Sequence, residues 1–432
     1  MKHAGRCCAI AMLLAAGAAG AAEDYSFDAA DFEKKPFEVG GYVQLRREDL
    51  RLRTDSAFYR LNTYGQLQRD TLGRTTAILE LAGKARYGDG TFDFRTHSQV
   101  QRDETARDTD NALYEGAYTL RASPALSLEA GKRVMRWGKG YAFNPVGFVE
   151  RPKDPNDPEL AREGYWLASA DYIRNFDGAL QTLAFTPVVV PVGRDVNSDF
   201  GATQHLNPAA KLYMLYRDTD IDLLWQGKGS RPARYGFDFS RNVTSNFEVH
   251  GEWARIQDGT RRVADSSGRI TATTGNATSY LLGLRYLTEG NTTYIAEYYR
   301  NGTGYSADES RTFYRFVDDA FARLGATGDA SMVQKAIALS QGSYGRPNPG
   351  SQYVYLRAQQ KDAFNIVYFQ PGVTAMINLD DRSFQVTPEL LYTGFDNVEL
   401  RARVYVLQGD RNTDFGAKQS SRKFELQARL YF

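Results

Sequence analysis

From Thr76 to Tyr87 the odd positions read Ala77, Leu79, Leu81, Gly83, Ala85 and Tyr87, while the even ones include Thr76, Glu80, Lys84 and Arg86. One face of such an extended segment is apolar and the other charged, because successive side chains of a strand point to opposite sides. The same period of two recurs at Val398–Val406, where Val398, Leu400, Ala402, Val404 and Val406 oppose Glu399, Arg401, Arg403 and Tyr405. It recurs again at the end, with Phe424, Leu426, Ala428, Leu430 and Phe432 opposite Lys423, Glu425, Gln427, Arg429 and Tyr431. Segments of this kind predict strands at roughly 36–46, 75–87, 91–101, 112–121, 126–137, 165–174, 179–186, 209–217 and 221–228. They continue at 233–240, 246–256, 277–287, 292–300, 351–360, 365–378, 383–393, 398–408 and 421–432, which brings the number to eighteen. Stretches of about ten alternating residues separated by turns are the pattern of a transmembrane antiparallel β-barrel.

The connections sharpen that reading. Every second one is short and built from turn residues, as in Gly88-Asp89-Gly90, Ser123-Pro124-Ala125, Asp218-Thr219-Asp220 and Thr288-Glu289-Gly290-Asn291. Those between them are mostly longer, near 47–74, 102–111, 138–164, 187–208, 257–276, 301–350 and 409–420, with brief ones at 229–232 and 379–382. Short periplasmic turns and long outer loops are the asymmetry of outer-membrane barrels. A secreted sandwich or propeller also alternates, but its connection lengths do not, and no blade-length repeat is visible. Residues 301–350 break the strand period: Ser306 and Glu309 fit a capping box, and Phe313, Phe316, Val317, Ala320, Phe321 and Leu324 follow helical spacing, with a second short helix expected at 330–340.

Composition excludes other classes. With 53 Lys+Arg against 52 Asp+Glu the chain lacks the basic excess of a nucleic-acid binder. No apolar stretch after the N-terminus approaches the length of a membrane helix. Residues 1–22 read as a secretory signal peptide: Lys2 and Arg6, an apolar run from Ala9 to Leu14, then small residues up to Ala22. The expected organisation is therefore a signal at 1–22, an N-terminal periplasmic segment at 23–35 and a barrel at 36–432. Cys7 and Cys8 fall in the signal, so the mature chain has no disulfide, thiolate metal site or thiol nucleophile.

At Gly131-Lys132-Arg133 through Arg136-Trp137-Gly138-Lys139-Gly140-Tyr141, at Arg151-Pro152-Lys153-Asp154-Pro155-Asn156-Asp157-Pro158-Glu159, and in the closing Arg429-Leu430-Tyr431-Phe432, the chain resembles porin-type outer-membrane barrels of Gram-negative bacteria, including a poorly characterised group. The resemblance covers most of the mature chain and implies an architecture rather than a substrate. Carboxylate-selective porins and the alginate exporter share the strand number, but strand number carries no function. The lumen-facing arginine ladder expected for an exporter of an anionic polymer is not clearly matched.

If the apolar faces meet lipid, the opposite faces line the lumen. Arg46, Arg95, Arg133, Arg234, Arg401, Arg403, Lys423 and Arg429 are among the basic candidates, and Glu80, Asp222, Asp238, Glu248, Glu252, Glu297, Glu389, Glu399 and Glu425 among the acidic ones. Many of these can pair across strands into a salt-bridged wall. Loop 138–164 is the third outer loop, where porins of this build carry a constriction; Pro145, Pro152, Pro155 and Pro158 stiffen it. Its charges and their neighbours, Arg133, Arg136, Arg151, Lys153, Asp154, Asp157 and Glu159, together with Arg401 and Arg403, are the candidate pore-lining and constriction residues. The alternative is a loop packed outside or capping the barrel. Asp154, Asn156, Asp157 and Glu159 offer oxygen ligands but lack the spacing of an EF-hand, so no metal is expected. His97, His205 and His250 stand in no hydrolase motif, and neither an enzyme nor a cofactor is expected. The expected activity is passive passage of small polar or charged solutes across the outer membrane, with lipid and solutes as partners and a homo-oligomer possible. The rivals are a barrel sheathing a partner protein, such as an electron-transfer cytochrome, and a dedicated polymer export channel.

Overall fold

The computed structural model describes residues 35–155, 157 and 163–432. The expected signal at 1–22, nearly all of the segment 23–35, and within loop 138–164 the residues Asn156 and Pro158 and the constriction candidate Glu159 lie outside the described residues. The chain runs through β1 (Phe37–Leu52), β2 (Thr71–Tyr87), β3 (Gly90–Asp103), β4 (Arg107–Ser123), β5 (Leu126–Arg133) and β6 (Tyr165–Asn175). Next come β7 (Leu180–Val192), β8 (His205–Tyr216), β9 (Thr219–Gln226), β10 (Arg234–Thr244), β11 (Phe247–Ala264) and β12 (Ile270–Leu287). The last six are β13 (Thr292–Arg300), β14 (Gln352–Gln360), β15 (Phe369–Asn378), β16 (Phe384–Phe395), β17 (Val398–Gln408) and β18 (Ser420–Tyr431). Each strand pairs antiparallel with its sequence neighbours, and β1 pairs with β18, so the eighteen close into a barrel with no free edge.

Lipid-side and lumen-side residues alternate as the sequence pattern requires. On β2, Ala77 and Leu79 are exposed while Thr76, Ile78 and Glu80 are buried. On β17 and β18, Leu400, Val404, Phe424 and Leu426 are exposed, while Glu399, Arg403, Glu425 and Gln427 are buried on the inner side. Apolar side chains facing outward and charged ones inward reverse the arrangement of a soluble protein and fit a wall between lipid and an aqueous interior.

Both ends of the described barrel lie at the rim with the short turns, since Tyr42 stands opposite Tyr431. The opposite rim carries L1 (53–70), L2 (104–106), L3 (134–164), L4 (193–204), L5 (227–233), L6 (265–269), L7 (301–351), L8 (379–383) and L9 (409–419). Two of the long loops read from the sequence are instead hairpins. β3 and β4 pair out to Arg102 and Arg107, where Asp103 accepts the Thr105 and Ala106 N–H groups, and β11 and β12 pair out to Ala264 and Ile270. Both faces of 270–276 are exposed, so hydrophobic alternation vanishes there although strand pairing continues. β5 is shorter than expected, ending at Arg133, and β15 begins only at Phe369, after a turn in which Phe364, Asn365 and Tyr368 have positive φ.

After a short helix α1 (Ala57–Asn62) in L1, the helical insert is present as α2 (Ala307–Thr327) and α3 (Ser331–Leu339). Ser306 accepts the Glu309 N–H while Glu309 accepts the Ser306 N–H, which completes the expected capping box. Phe313, Phe316, Val317 and Ala320 are buried, but not only within L7. Phe313, Phe316 and Val317 pack with Ala57, Phe58 and Leu61 of α1 in L1, with Ala264 at the L6 hairpin and with Ala417 of L9. That helix, Ala57–Asn62, is capped by Ser56 and has too few residues to show a helical period in the sequence. It and L7 are tied further by Arg60 and Asp318 at 2.7 Å.

A loop across the lumen

L3 leaves the wall at mid-height, where β5 stops, and is aimed inward by its own backbone. Arg136 (φ 53°) and Gly138 (φ 96°) lie in the left-handed region, and a Cβ at Gly138 would stand 2.7 Å from the Glu252 Oε1. Glycine at 138 thus serves both the turn and the close approach to a carboxylate. Glu252, on β11, accepts the N–H groups of Lys139 at 2.7 Å, Gly140 at 2.6 Å and Val146 at 3.3 Å. Glu297, on β13, accepts those of Tyr141 and Ala142. Tyr141 donates its hydroxyl to Glu248 at 2.9 Å, and Lys139 reaches Asp222 on β9 at 3.0 Å and Asp238 on β10 at 3.9 Å. His250 is wholly buried between Glu248 and Glu297, at 3.3 and 3.0 Å. A band of carboxylates on β9–β13 therefore holds a segment that began on β5, so the loop spans the bore.

Apolar packing completes the attachment. Trp137, Val146, Phe148 and Val149 are buried against Leu167 of β6, Val188, Val190 and Val192 of β7, and Leu224 of β9. Phe143 stacks on Tyr299 at 4.6 Å between centroids. Full burial of one such side chain stabilises by about 1.5–3 kcal/mol, so this cluster outweighs any single polar contact in the loop.

The candidate constriction residues divide into two groups. Asp157 stands 3.7 Å from Arg401 and 3.4 Å from Arg403, both on β17, and this triad joins the loop to the wall on the other side of the bore from Glu252. Arg401 also faces Glu399 at 3.2 Å, and Arg403 binds Glu389 and Glu425. Arg429, Lys423 and Glu48 extend this salt-bridged wall across β18 to β1. Arg151 and Lys153 are engaged within the loop and its base. Arg151 donates to the carbonyls of Glu163 and Gly164, pairs with Asp199 at 3.0 Å and lies over the Tyr165 ring, while Lys153 donates to the Gly140 carbonyl. Arg133 stays on the wall with Glu129 at 3.0 Å and Asp93 at 3.6 Å, and Arg136 is exposed. Asp154 is also held in an interaction, and Glu159 lies outside the described residues.

The anchoring role of Glu252 and Glu297 was not legible from charge alone, since both were simply members of an acidic lumen face. Two signals pointed to it. The Gly138-Lys139-Gly140 pair of glycines exposes backbone N–H groups, and Val188-Val189-Val190 interrupts the alternation of β7 with apolar residues on the inner face.

No protein-family model matches the sequence, and no curated protein matches it. Solved structures do resemble the fold. The Pseudomonas aeruginosa protein OccK5 (OpdH) aligns with a TM-score of 0.52 at 12% identity, over 91% of this chain and 98% of that one. A mutant porin of Rhodopseudomonas blastica aligns at a TM-score of 0.44 and 10% identity, over 92% of this chain and all of the other. The chain has a porin-type β-barrel fold. At such identities the likeness extends to architecture and not to a solute.

Proposed function

We propose that this barrel is a channel of the Gram-negative outer membrane for the passive diffusion of small polar or charged solutes, narrowed by L3. It would be exported by the signal at 1–22 and would belong with the poorly characterised porin-like group. The observation that carries this reading is the crossing of the bore by the chain's own loop, tied to Glu252 and Glu297 on one side and, through Asp157, to Arg401 and Arg403 on another. A sheath around another protein needs a clear bore, and a loop tied across it to two parts of the wall supports a path sized to small solutes over that reading. Beneath the loop, on the turn side, a lumen recess of about 460 Å³ bordered by Glu38, Lys84, Asp93, Arg95, Glu115 and Arg133 supplies a mixed-charge path rather than one sign of charge. Planar-bilayer recording of the purified protein tests the proposal: discrete conductance steps are expected, and a folded barrel that gives none would return the weight to the scaffold reading.

A further inference from the structure

Above the level of L3, the inner wall holds an arginine that its surroundings do not neutralise. Val146 of L3 packs against the β10 backbone at Gly236, and Arg234 lies two residues nearer the outer rim on the same face as buried Asp238. It borders a cavity of about 330 Å³, together with Ile256, Thr260, Thr273, Gly275 and Asn276 of the β11–β12 hairpin, under a roof from Gly302 and Thr303 of L7. The Nε of Arg234 is buried without an acceptor. Among the described residues no carboxylate lies within ion-pair distance of it, and the charged group that acts on it is a second cation, Arg231. The Nε of Arg261 is likewise without an acceptor, but its terminal nitrogens pair with Glu309 and donate to the Gly304 carbonyl, and Arg231 donates to the carbonyls of Phe200 and Phe148; what sets Arg234 apart is the lack of such a partner. Arg234 as a whole is half-buried, with its Nε withdrawn from water; a guanidinium so placed without a counter-charge is unfavourable, and a planar fork of donors beside hydroxyl-bearing threonines suits an oxyanion.

We propose that this cavity is a binding subsite for a small soluble anion with carboxylate or phosphate oxygens, held by Arg234 before the constriction. A lipid headgroup is not the source, because Arg234 faces the lumen while the adjacent Tyr235 and Phe237 face outward. The role of the subsite as a station on a permeation path rests on the channel reading; the binding itself does not.

Isothermal titration of the purified full-length protein in detergent with succinate, and separately with inorganic phosphate, tests it. Saturable binding of at least one anion is expected, weakened about tenfold or more by Arg234→Gln and less by Arg234→Lys, which keeps the charge but not the fork. A second variant does not disturb Arg234. A Cβ at Gly275 meets nothing within 4 Å, so Gly275→Glu should fold, put a carboxylate into the cavity and abolish binding. Equal affinity in wild type and Arg234→Gln, or no saturable binding of either anion by the folded wild type, would overturn the proposal. If Arg234→Gln does not fold, Gly275→Glu decides, and undiminished binding by it would overturn the proposal equally. Absence of conductance with binding intact would instead remove the channel reading and leave the subsite standing.

Discussion

Removing the Glu252 carboxylate should release L3 from the wall. Its two close contacts, at 2.7 and 2.6 Å to the N–H groups of Lys139 and Gly140, are hydrogen bonds worth about 1.5–3 kcal/mol each when the carboxyl is ionised; the third, to Val146 at 3.3 Å, is weaker. Glu252→Ala therefore withdraws roughly 3–6 kcal/mol from the attachment. Glu252→Gln keeps a neutral acceptor for the close pair and should lose about half as much. At about 1.4 kcal/mol per tenfold, the alanine variant raises the population of detached loop by a factor on the order of 10²–10⁴, and glutamine by far less. Glu297 still holds Tyr141 and Ala142, and the apolar cluster around Trp137 persists, so complete release should need Glu252→Ala together with Glu297→Ala. Single-channel records should show added open-state noise for Glu252→Ala, little for Glu252→Gln, and a raised mean conductance for the double variant. If all three variants, folded, give wild-type conductance and noise, the carboxylate band does not hold the loop in the conduction path.

Three further expectations follow from other parts of the molecule. Leu81→Arg places a charge on the lipid face of β2 and should cost about 2–4 kcal/mol in vesicle refolding titrations if the site lies near the midplane, whereas the same change at exposed Ala326 on α2 should cost almost nothing; equal effects would reverse the face assignment. In intact cells, a cysteine at Ala326 should react with an impermeant maleimide and one at Asp89 in the β2–β3 turn should not, and the opposite result would invert the barrel in the membrane. Burial would raise the Glu309 carboxyl, but hydrogen bonds from Arg261 and from the Ser306 N–H outweigh it and hold it below its ordinary value. The start of α2 is accordingly stabilised above the normal glutamate range near pH 4.3 and loses that contribution as pH falls through it. Hydrogen exchange at the first turn of α2, corrected for intrinsic rates, should quicken from pH 6 to pH 3, and Glu309→Gln should remove that pH dependence.

What the sequence displayed was whatever the bilayer enforces. Leu79, Leu400 and Leu426 must be apolar and their neighbours need not be, so period two marked the strands and the short turns marked one rim. Outside the membrane that constraint lapses, and the outer hairpins at 102–111 and 257–276 looked like loops because pairing there asks nothing of side-chain polarity. The capping box at Ser306 was readable because a cap is local chemistry; the partners of α2 on L1, L6 and L9 were not, since they come from distant parts of the chain. Within L3, the inward course fitted its place after the fifth strand, but the division of labour among its charges did not show. Arg151, Lys153 and Asp157 are all charged residues of one proline-rich stretch, and which of them turns back into the loop and which reaches the β17 arginines is set by what the fold places beside each.

The pairing of β1 with β18 also governs how such a barrel can be made. Arg429 reaches Gln44 across 385 residues, and joining ends so far apart costs roughly 4 kcal/mol more in chain entropy than closing a turn of a few residues. Every other strand pair can form by local zipping, so this junction should be the last to shut and should limit the rate. The molecule fastens it at two heights: at one rim Gly41 and Phe432 exchange backbone hydrogen bonds and Tyr42 meets Tyr431 edge to face, and at the other Phe58 donates its N–H to the Ala417 carbonyl. A circular permutant that joins the present ends and opens at the Gly88-Asp89 turn would move the slow step to the β2–β3 junction, where the outer-rim tie is the exposed Arg69–Glu104 ion pair rather than a backbone hydrogen bond, and should leave a longer-lived open-sheet intermediate.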